Sequence, residues 1–448
     1  MNIAIIGADA ESVHAIKKAQ ALGHRVICVD KDPKAAGVLS ADKVITLDIS
    51  KEEEVIRALE PEKIDFCMTT PIGRHLVTIG AVNDALKLPG ISRECAVLCT
   101  DKYAFHNRLR NVRLRTGYCY LADGVHPIDL TKVKYPCVFK PRFGSHGRSV
   151  HYISNEDELV DLIDKIWGEK ENTTDSKDPV SPTGIGEKED SSDISFSRKA
   201  GEFMASIKMT MEEKRSAASG EDRADDEYIL EEALPGIEYA VDGVVEGCNF
   251  VTVLIRRKVL TRPPARQAVV YMNLMPGDNP RVEAQISEYM GRLCEVIGFR
   301  ECLLHADICI QGRTVNVIEI SASPAGRHVY DELIPMATGV DMAEQFIRYM
   351  AGDSHVFQPL NRKRILLGYF GMQNCFVHDV PDIDRIKNIL PESVTLRKWE
   401  CNIKMLDYLG RITDESSLLS RGCYLLEGVN DRILYETSDR IQDSFETK

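Results

Sequence analysis

The sequence predicts an α/β protein that opens on a doubly wound parallel sheet and continues into α+β segments. Three observations predict this. Short apolar runs alternate with helical stretches through residues 1–100, the rhythm of β-α-β crossovers. Beyond Tyr228 strand signals follow one another, and Gln311-Gly312-Arg313 reads as a hairpin connection. The chain has 448 residues, 44% of them hydrophobic, which is too many for one core and enough for two to four domains.

Asn2–Ile6 reads as the first strand, with Gly7 as the turn after it. A helix follows over Glu11–Leu22 and is closed by Gly23; Arg25–Val29 is the second strand, ending at Asp30. Lys43–Leu47 and Ile64–Thr69 are further strands. Ile6-Gly7-Ala8-Asp9-Ala10 stands where a dinucleotide fingerprint would stand but holds one glycine. Without the second and third glycines the backbone cannot approach a pyrophosphate, so nicotinamide binding is not expected. From Asp101 the texture turns helical, through Lys102 and Phe105 to Arg115. Pro136–Lys140 is a strand, then comes a glycine-rich turn, then a strand at Ser149–Ile153.

Residues from about Gly168 to Glu227 are rich in Glu, Lys, Asp, Ser and Thr and poor in aromatics. Such a stretch buries too little apolar surface to offset chain entropy, so a mostly disordered insertion is expected, with a helical turn over Phe203–Met211. Tyr228–Leu230, Glu238–Val245 and Phe250–Ile255 are strands. Ile286–Ile297 is an amphipathic helix ended by Gly298, Cys302–Ile310 and Thr314–Ile320 form the hairpin, and Met342–Tyr349 is a helix. From Arg364 the chain reads as a small α+β unit of its own. The expected domains are therefore 1–100, 101–240 with the insertion at about 168–227, 241–355, and 362–448.

Composition removes several function classes. A formal net charge of −13 argues against nucleic acid, whose binding needs a clustered basic surface. No apolar run reaches the ~18 residues that span a bilayer, and the N-terminus lacks a basic segment ahead of its apolar run. The 13 cysteines are scattered, several within apolar runs (Cys28, Cys67, Cys137, Cys309), and none forms a CxxC pair. Buried, reduced thiols in a cytoplasmic protein are expected.

The chemistry-bearing residues come in a fixed order. Lys140 ends a strand, and Phe143-Gly144-Ser145-His146-Gly147-Arg148 follows with two glycines and a serine. Such a turn exposes backbone N–H groups that suit phosphate oxygens, although alone it resembles any glycine-rich hairpin. Glu231-Glu232-Ala233-Leu234 comes next, with Glu238 seven residues after Glu231. Last are Asp307 and Glu319 on consecutive antiparallel strands, within about one diagonal step of each other. Alternation puts His305, Asp307 and Cys309 on one strand face. Two carboxylates so close repel unless a cation lies between them, and Mg²⁺ is the natural oxygen-liganded candidate.

Taken in this order, the residues resemble the ATP-grasp superfamily, which includes biotin carboxylase, D-alanine–D-alanine ligase, the carbamoyl-phosphate synthetase large chain and the L-amino-acid ligases. The resemblance runs from about residue 1 to 355. It implies an ATP-grasp fold: a Rossmann-like N-terminal domain, a lid subdomain at 101–240, an ATP-binding subdomain at 241–355 and the C-terminal α+β appendage. It implies that Lys102 and Lys140 are the two ATP lysines and that Gly144, Ser145, Gly147 and Arg148 belong to the phosphate loop. Glu231 would take the adenine amino group, Glu232 and Leu234 would offer backbone contacts, and Glu238 would bind the ribose. Asp307 and Glu319 would hold Mg²⁺ (or Mn²⁺) on the β- and γ-phosphates. The implied reaction is ADP-forming ligation of a small carboxylate to an amine through an acyl phosphate, with small-molecule substrates and no membrane; a homodimer is one assembly compatible with it.

The pattern departs at two places. Family members carry asparagine two residues after the metal glutamate and many carry arginine two further on; here Ser321 and Ser323 stand there. Ser321 still offers an oxygen to the metal. Arg327, or the basic group Arg256, Arg257 and Arg262, would have to supply the missing charge. His305 occupies a place where L-amino-acid ligases carry histidine. Arg327, His305 and Arg262 are thus the candidate catalytic residues, and Thr69-Thr70-Pro71-Ile72-Gly73-Arg74 would help shape the second-substrate site. A bicarbonate-using enzyme and a degenerate ATP-binding module remain as alternatives.

Overall fold

The computed structural model describes residues 1–71, 75–124, 128–144, 147–168, 227–263, 265–326 and 328–448. The body of the expected insertion (169–226, with the turn at 203–211), the 72–74 part of the second-substrate stretch, Ser145, His146 and Arg327 lie outside the described residues. The described chain forms two compact units: Met1–Thr116, Gly144–Ser149 and Leu234–Lys448 make the larger, and Gly117–Phe143 with Val150–Ala233 the smaller.

The larger unit opens with β1 (Asn2–Ile6), β2 (Arg25–Asp30), β3 (Lys43–Thr46) and β4 (Phe66–Cys67), an all-parallel sheet in the order β3-β2-β1-β4. The runs IAII and VICV are buried on both faces, as a sheet covered by helices on each side requires. Gly7 turns off β1 at a φ of +83°, a plain turn as expected from a single glycine.

The smaller unit is a four-stranded antiparallel sheet of β5 (Cys119–Ala122), β6 (Cys137–Pro141), β7 (His151–Ile153) and β8 (Tyr228–Glu232), in the order β5-β8-β6-β7. The helix Glu156–Ile163 is capped by the Asn155 side chain and covers one face through Leu159 and Ile163. Phe139 stacks on Tyr228 at 4.8 Å and meets the edge of Trp167 at 6.0 Å. An aromatic core of this kind lets so small a sheet hold its shape.

The rest of the larger unit is built on one eight-stranded antiparallel sheet. Its strands are β9 (Ile237–Glu246), β10 (Asn249–Leu260), β11 (Ala268–Leu274), β12 (Cys302–Gln311), β13 (Thr314–Ser321), β14 (Arg364–Tyr369), β16 (Val394–Cys401) and β18 (Gly422–Gly428), ordered β13-β12-β9-β10-β11-β14-β18-β16. A small sheet of β15 (Cys375–Asp379), β17 (Tyr408–Leu409) and β19 (Glu446–Thr447) lies in the same unit. The C-terminal α+β stretch expected to stand alone thus shares its strands with the central sheet: β14 pairs with β11 at Val270–Met272 and removes what would otherwise be an exposed sheet edge.

The helix expected at Ile286–Ile297 runs over Pro280–Ile297. Asn279 caps it through its side chain, Pro280 starts it, and Gly298 ends it at a φ of +83°, the usual asymmetry of helix ends. Val282, Ile286, Tyr289, Met290 and Leu293 form its buried face.

Candidate functional site

The central feature of the larger unit is the β12–β13 hairpin. Pairing outward from Gln311 and Thr314 runs regularly to Ile308 opposite Val317; one extra residue in β13, Ile318, then shifts the register so that Asp307 lies opposite Glu319. Without this bulge Ile318 would face Asp307, and Glu319 would point to the other side of the sheet. The two carboxylates are therefore directly opposed, one step closer than the sequence pattern suggested.

Their surroundings differ. Asp307 forms an ion pair with Lys258 of β10, while its Oδ1 is buried and accepts no hydrogen bond. Burial alone would raise the Asp307 carboxyl, but Lys258 and then His305 hold it below the usual carboxylate range. Glu319 is 45% exposed along its side chain and lies 3.8 Å from Lys102 Nζ. Ser321 and Ser323 share a 2.8 Å hydrogen bond. Behind this edge lies a buried ion pair: Arg256 donates to both Asp242 oxygens, at 2.8 and 3.2 Å. His305 Nδ1 is 2.9 Å from Asp242 Oδ1, and its Nε2 is 3.6 Å from Asp307 Oδ1. Burial opposes ionisation of Asp242, yet Arg256 and His305 hold it at about 2.

The loop Gly144–Ser149 belongs to the same unit. Asp101 caps the helix Lys102–Asn111 by accepting from the N–H groups of Tyr103 and Ala104, both at 3.1 Å. The cap sets Lys102 at the first helical position, and its Nζ donates to the Gly144 carbonyl at 2.6 Å. Gly147 has a φ of +65°, and a Cβ there would sit 2.6 Å from Gln267 Nε2, so the position admits only glycine without movement. Arg148 is exposed. Glu238 on β9 accepts from Arg266 at 2.7 Å, and Leu234 lends its carbonyl to Cys309 Sγ at 3.8 Å.

In the smaller unit Lys140 and Glu231 are both buried, with Nζ and Oε1 2.5 Å apart. They sit on neighbouring strands, since Val138 of β6 lies opposite Glu231 of β8. Glu232 packs against Gly117, where a Cβ would meet its Oε2 at 2.9 Å.

Three comparisons bear on this arrangement. The sequence profile of the ATP-grasp domain matches residues 188–331. No curated protein sequence matches. Among solved structures, the L-amino acid ligase from Bacillus licheniformis superposes with a TM-score of 0.69 at 16% identity, over 100% of this chain and 98% of that one. The chain has the ATP-grasp fold. Phosphoribosylglycinamide synthetase from Anaerococcus prevotii is similar at a TM-score of 0.61 and 14% identity, over 100% and 99% of the two chains. The biotin carboxylase domain dimer of 2-oxoglutarate carboxylase from Hydrogenobacter thermophilus, solved with ADP, MgADP and bicarbonate, is similar at 0.58 and 12%, over 100% and 90%.

Within the ATP-grasp fold, Lys102, the described loop glycines, Glu238, His305, Asp307, Glu319 and Ser321 all fall in the larger unit, and Lys140, Glu231 and Glu232 in the smaller. The basic group splits up. Arg256 is locked onto Asp242, Arg257 points from the opposite strand face into solvent, and Arg262 is exposed. The cation beside Asp307 is Lys258, which sequence reasoning missed although it lies two residues from Arg256 and so on the same face. Asp242, Arg266 and Gln267 were also missed; each acts through a neighbour that register alone brings near.

Proposed function

We propose that this chain is an ATP-dependent, ADP-forming ligase that activates a small carboxylate, such as that of an amino acid, and joins it to an amine. The carrying observation is Asp307, paired opposite Glu319 across the bulged hairpin, whose buried Oδ1 accepts no hydrogen bond from the described residues. Two opposed carboxylates with an unused buried oxygen suit a hard divalent cation, so Asp307, Glu319 and Ser321 are the proposed holders of Mg²⁺. When bound, that ion supplies charge neutralisation at the β- and γ-phosphates.

The other roles fall to the chain's own groups. Lys102, held by the Asp101 cap, and the backbone of Gly144, Ser145, Gly147 and Arg148 take the phosphates. Lys140 adds a point charge for the phosphates, Glu231, Glu232 and Leu234 take the base side, and Glu238, oriented by Arg266, takes the ribose. A substrate carboxylate oxygen attacks the γ-phosphorus and the bond to the β–γ bridging oxygen breaks, releasing ADP. The amine nitrogen then attacks the acyl carbon; inorganic phosphate leaves and the nitrogen gives up a proton to solvent. His305, Arg262 and Arg327 are the proposed contacts to the carboxylate and acyl phosphate. Lys258, ion-paired with Asp307, supplies positive charge beside that carboxylate. The protein's work is positioning and charge stabilisation.

The test is ADP release from the full chain with Mg²⁺ and ATP across a panel of amino acids and small carboxylates. One or more should raise ADP formation well above background and yield a ligated product. Bicarbonate-dependent ADP formation with no amine would replace this reading with a carboxylating one. Nucleotide binding indifferent to Mg²⁺, with no turnover, would reduce the chain to a binding module.

A further inference from the structure

A second constellation lies outside the nucleotide residues, where the segment after β13 meets the C-terminal strands. Among the described residues, His328, Glu400 and Cys423 bring one imidazole nitrogen, one carboxylate oxygen and one thiol sulfur to within 4.8 Å of one another. Glu400 and Cys423 are directly opposed on β16 and β18. Cys423 is 2% exposed and unbridged. His328 enters from a left-handed backbone, at a φ of +64°, a conformation that costs a non-glycine residue about 1 kcal/mol or more and is kept where neighbours fix it.

The protonation of His328 is set by its other nitrogen. Nδ1 lies 2.7 Å from Glu332 Oε1 and 3.0 Å from Lys398 Nζ; the carboxylate contact, the shorter of the two, favours the tautomer in which Nδ1 donates to Glu332 and Nε2 keeps its lone pair. Nε2 is left facing Glu400 Oε2 at 3.7 Å. That separation is too long for a hydrogen bond, and the two atoms would draw in to about 3.3 Å as ligands of one tetrahedral ion with bonds of about 2 Å. A carboxylate on the far nitrogen of a histidine is the usual support of a metal-ligating imidazole. A cation already occupies the neighbourhood: Lys398 Nζ is 2.7 Å from Glu332 Oε1, 3.0 Å from His328 Nδ1 and 3.4 Å from Glu400 Oε2.

We propose that His328 Nε2, Glu400 and Cys423 Sγ form a site for a borderline divalent cation of the zinc class, with Glu332 orienting the imidazole and Lys398 as a tethered ammonium that closes the site. One nitrogen, one sulfur and one oxygen ligand are the donor mixture such ions take, and a hard ion would not select the thiol. On binding, the ion displaces the ammonium toward solvent, the Cys423 S–H bond breaks, and its proton leaves to solvent as the sulfur–metal bond forms. The ion would tie the segment that follows Ser321 and Ser323 to strands β16 and β18. The site is independent of the ligase reading, because none of its residues is among those assigned to ATP.

The experiment is titration of the full chain with Co²⁺, followed by absorbance and then by Zn²⁺ competition. The wild-type chain should bind one equivalent with a thiolate-to-cobalt charge-transfer band, displaced by Zn²⁺. Cys423→Ser should lose that band. Glu332→Gln, at a half-buried position, should weaken binding at least roughly tenfold by releasing the imidazole. Lys398→Met, which removes the competing cation, should tighten binding roughly tenfold. A wild-type chain without the band, a band that persists in Cys423→Ser, or a Lys398→Met chain that binds no more tightly than wild type would overturn the proposal. Lys398→Met decides the matter even if Cys423→Ser fails to fold.

Discussion

The two lysines assigned to ATP are built differently. Lys140 is 6% exposed along its side chain and pinned to Glu231, itself 5% exposed, at 2.5 Å. Lys102 stands on the first turn of a helix, reaches the Gly144 carbonyl, and stays 3.8 Å from a Glu319 that is 45% exposed. The first pair belongs to the core of the smaller unit and cannot relax without unpacking a sheet. The second is a longer contact between a lysine 12% exposed along its side chain and a glutamate open to solvent. One chemical type, a lysine near a glutamate, is thus a closed buried pair in one unit and an open, longer pair in the other.

The largest expected effect breaks the buried pair. Lys140→Met leaves the Glu231 charge without its lysine, and loss of one partner of such a pair costs about 3–5 kcal/mol. Thermal unfolding of Lys140→Met should shift down sharply. The double variant Lys140→Met/Glu231→Leu should recover most of that stability, because an apolar pair of similar volume replaces two desolvated charges. Nucleotide binding should stay lost in both. A double variant as unstable as the single would mean that the pair's partners, not its charge balance, hold the sheet.

Glu319→Gln inverts the pattern. The fold should be almost unmoved, while ADP formation should fall at least ~100-fold, roughly 3 kcal/mol of barrier. Steady-state rates beside a melting curve check both halves. Lys102→Met is milder still. Its contact is partly solvated, so stability should change by less than about 0.5 kcal/mol, while KM for ATP should rise roughly tenfold. Equal damage to stability from Lys102→Met and Lys140→Met would erase the distinction between the two lysines.

What the sequence made legible follows from the same physics. Asn2–Ile6, Arg25–Asp30 and the 311–314 turn were readable because apolar runs and a turn glycine are local signals. The helix Leu76–Leu86 was not, because seven of its eleven residues are buried and a helix apolar on all sides shows no 3.6-residue stripe. The order of Lys140, the glycine loop, Glu231, Glu238, Asp307 and Glu319 carried the fold across a sequence whose solved relatives named above are 12–16% identical. Lys258 and Asp242 escaped because their places depend on register: β9 and β10 slip between Thr252 and Leu254, and β12 and β13 slip at Ile318. A bulge changes which residues face each other without leaving a mark that a periodicity count can find.

The last prediction concerns a third ion pair, whose groups are all more exposed than either lysine. Asp341, 15% exposed, accepts from His14 Nε2 at 3.0 Å and pairs with Lys18 at 3.0 Å, and it caps the helix Met342–Met350. Burial pushes its carboxyl up, but the His14 hydrogen bond, the Glu344 N–H and Lys18 hold it at about 2. A carboxyl whose folded value is depressed contributes stability above its unfolded value of about 4, and loses it as pH falls from there toward about 2. By linkage the contribution is at most about 2 kcal/mol. Asp341→Asn keeps a good capping oxygen while removing the charge, so it isolates the electrostatic part. Unfolding free energy of Asp341→Asn should lie below wild type near neutrality, with the gap closing between pH 4 and 2. A gap constant across that window would assign Asp341 to capping alone and leave burial, not charge, as the source of its stability.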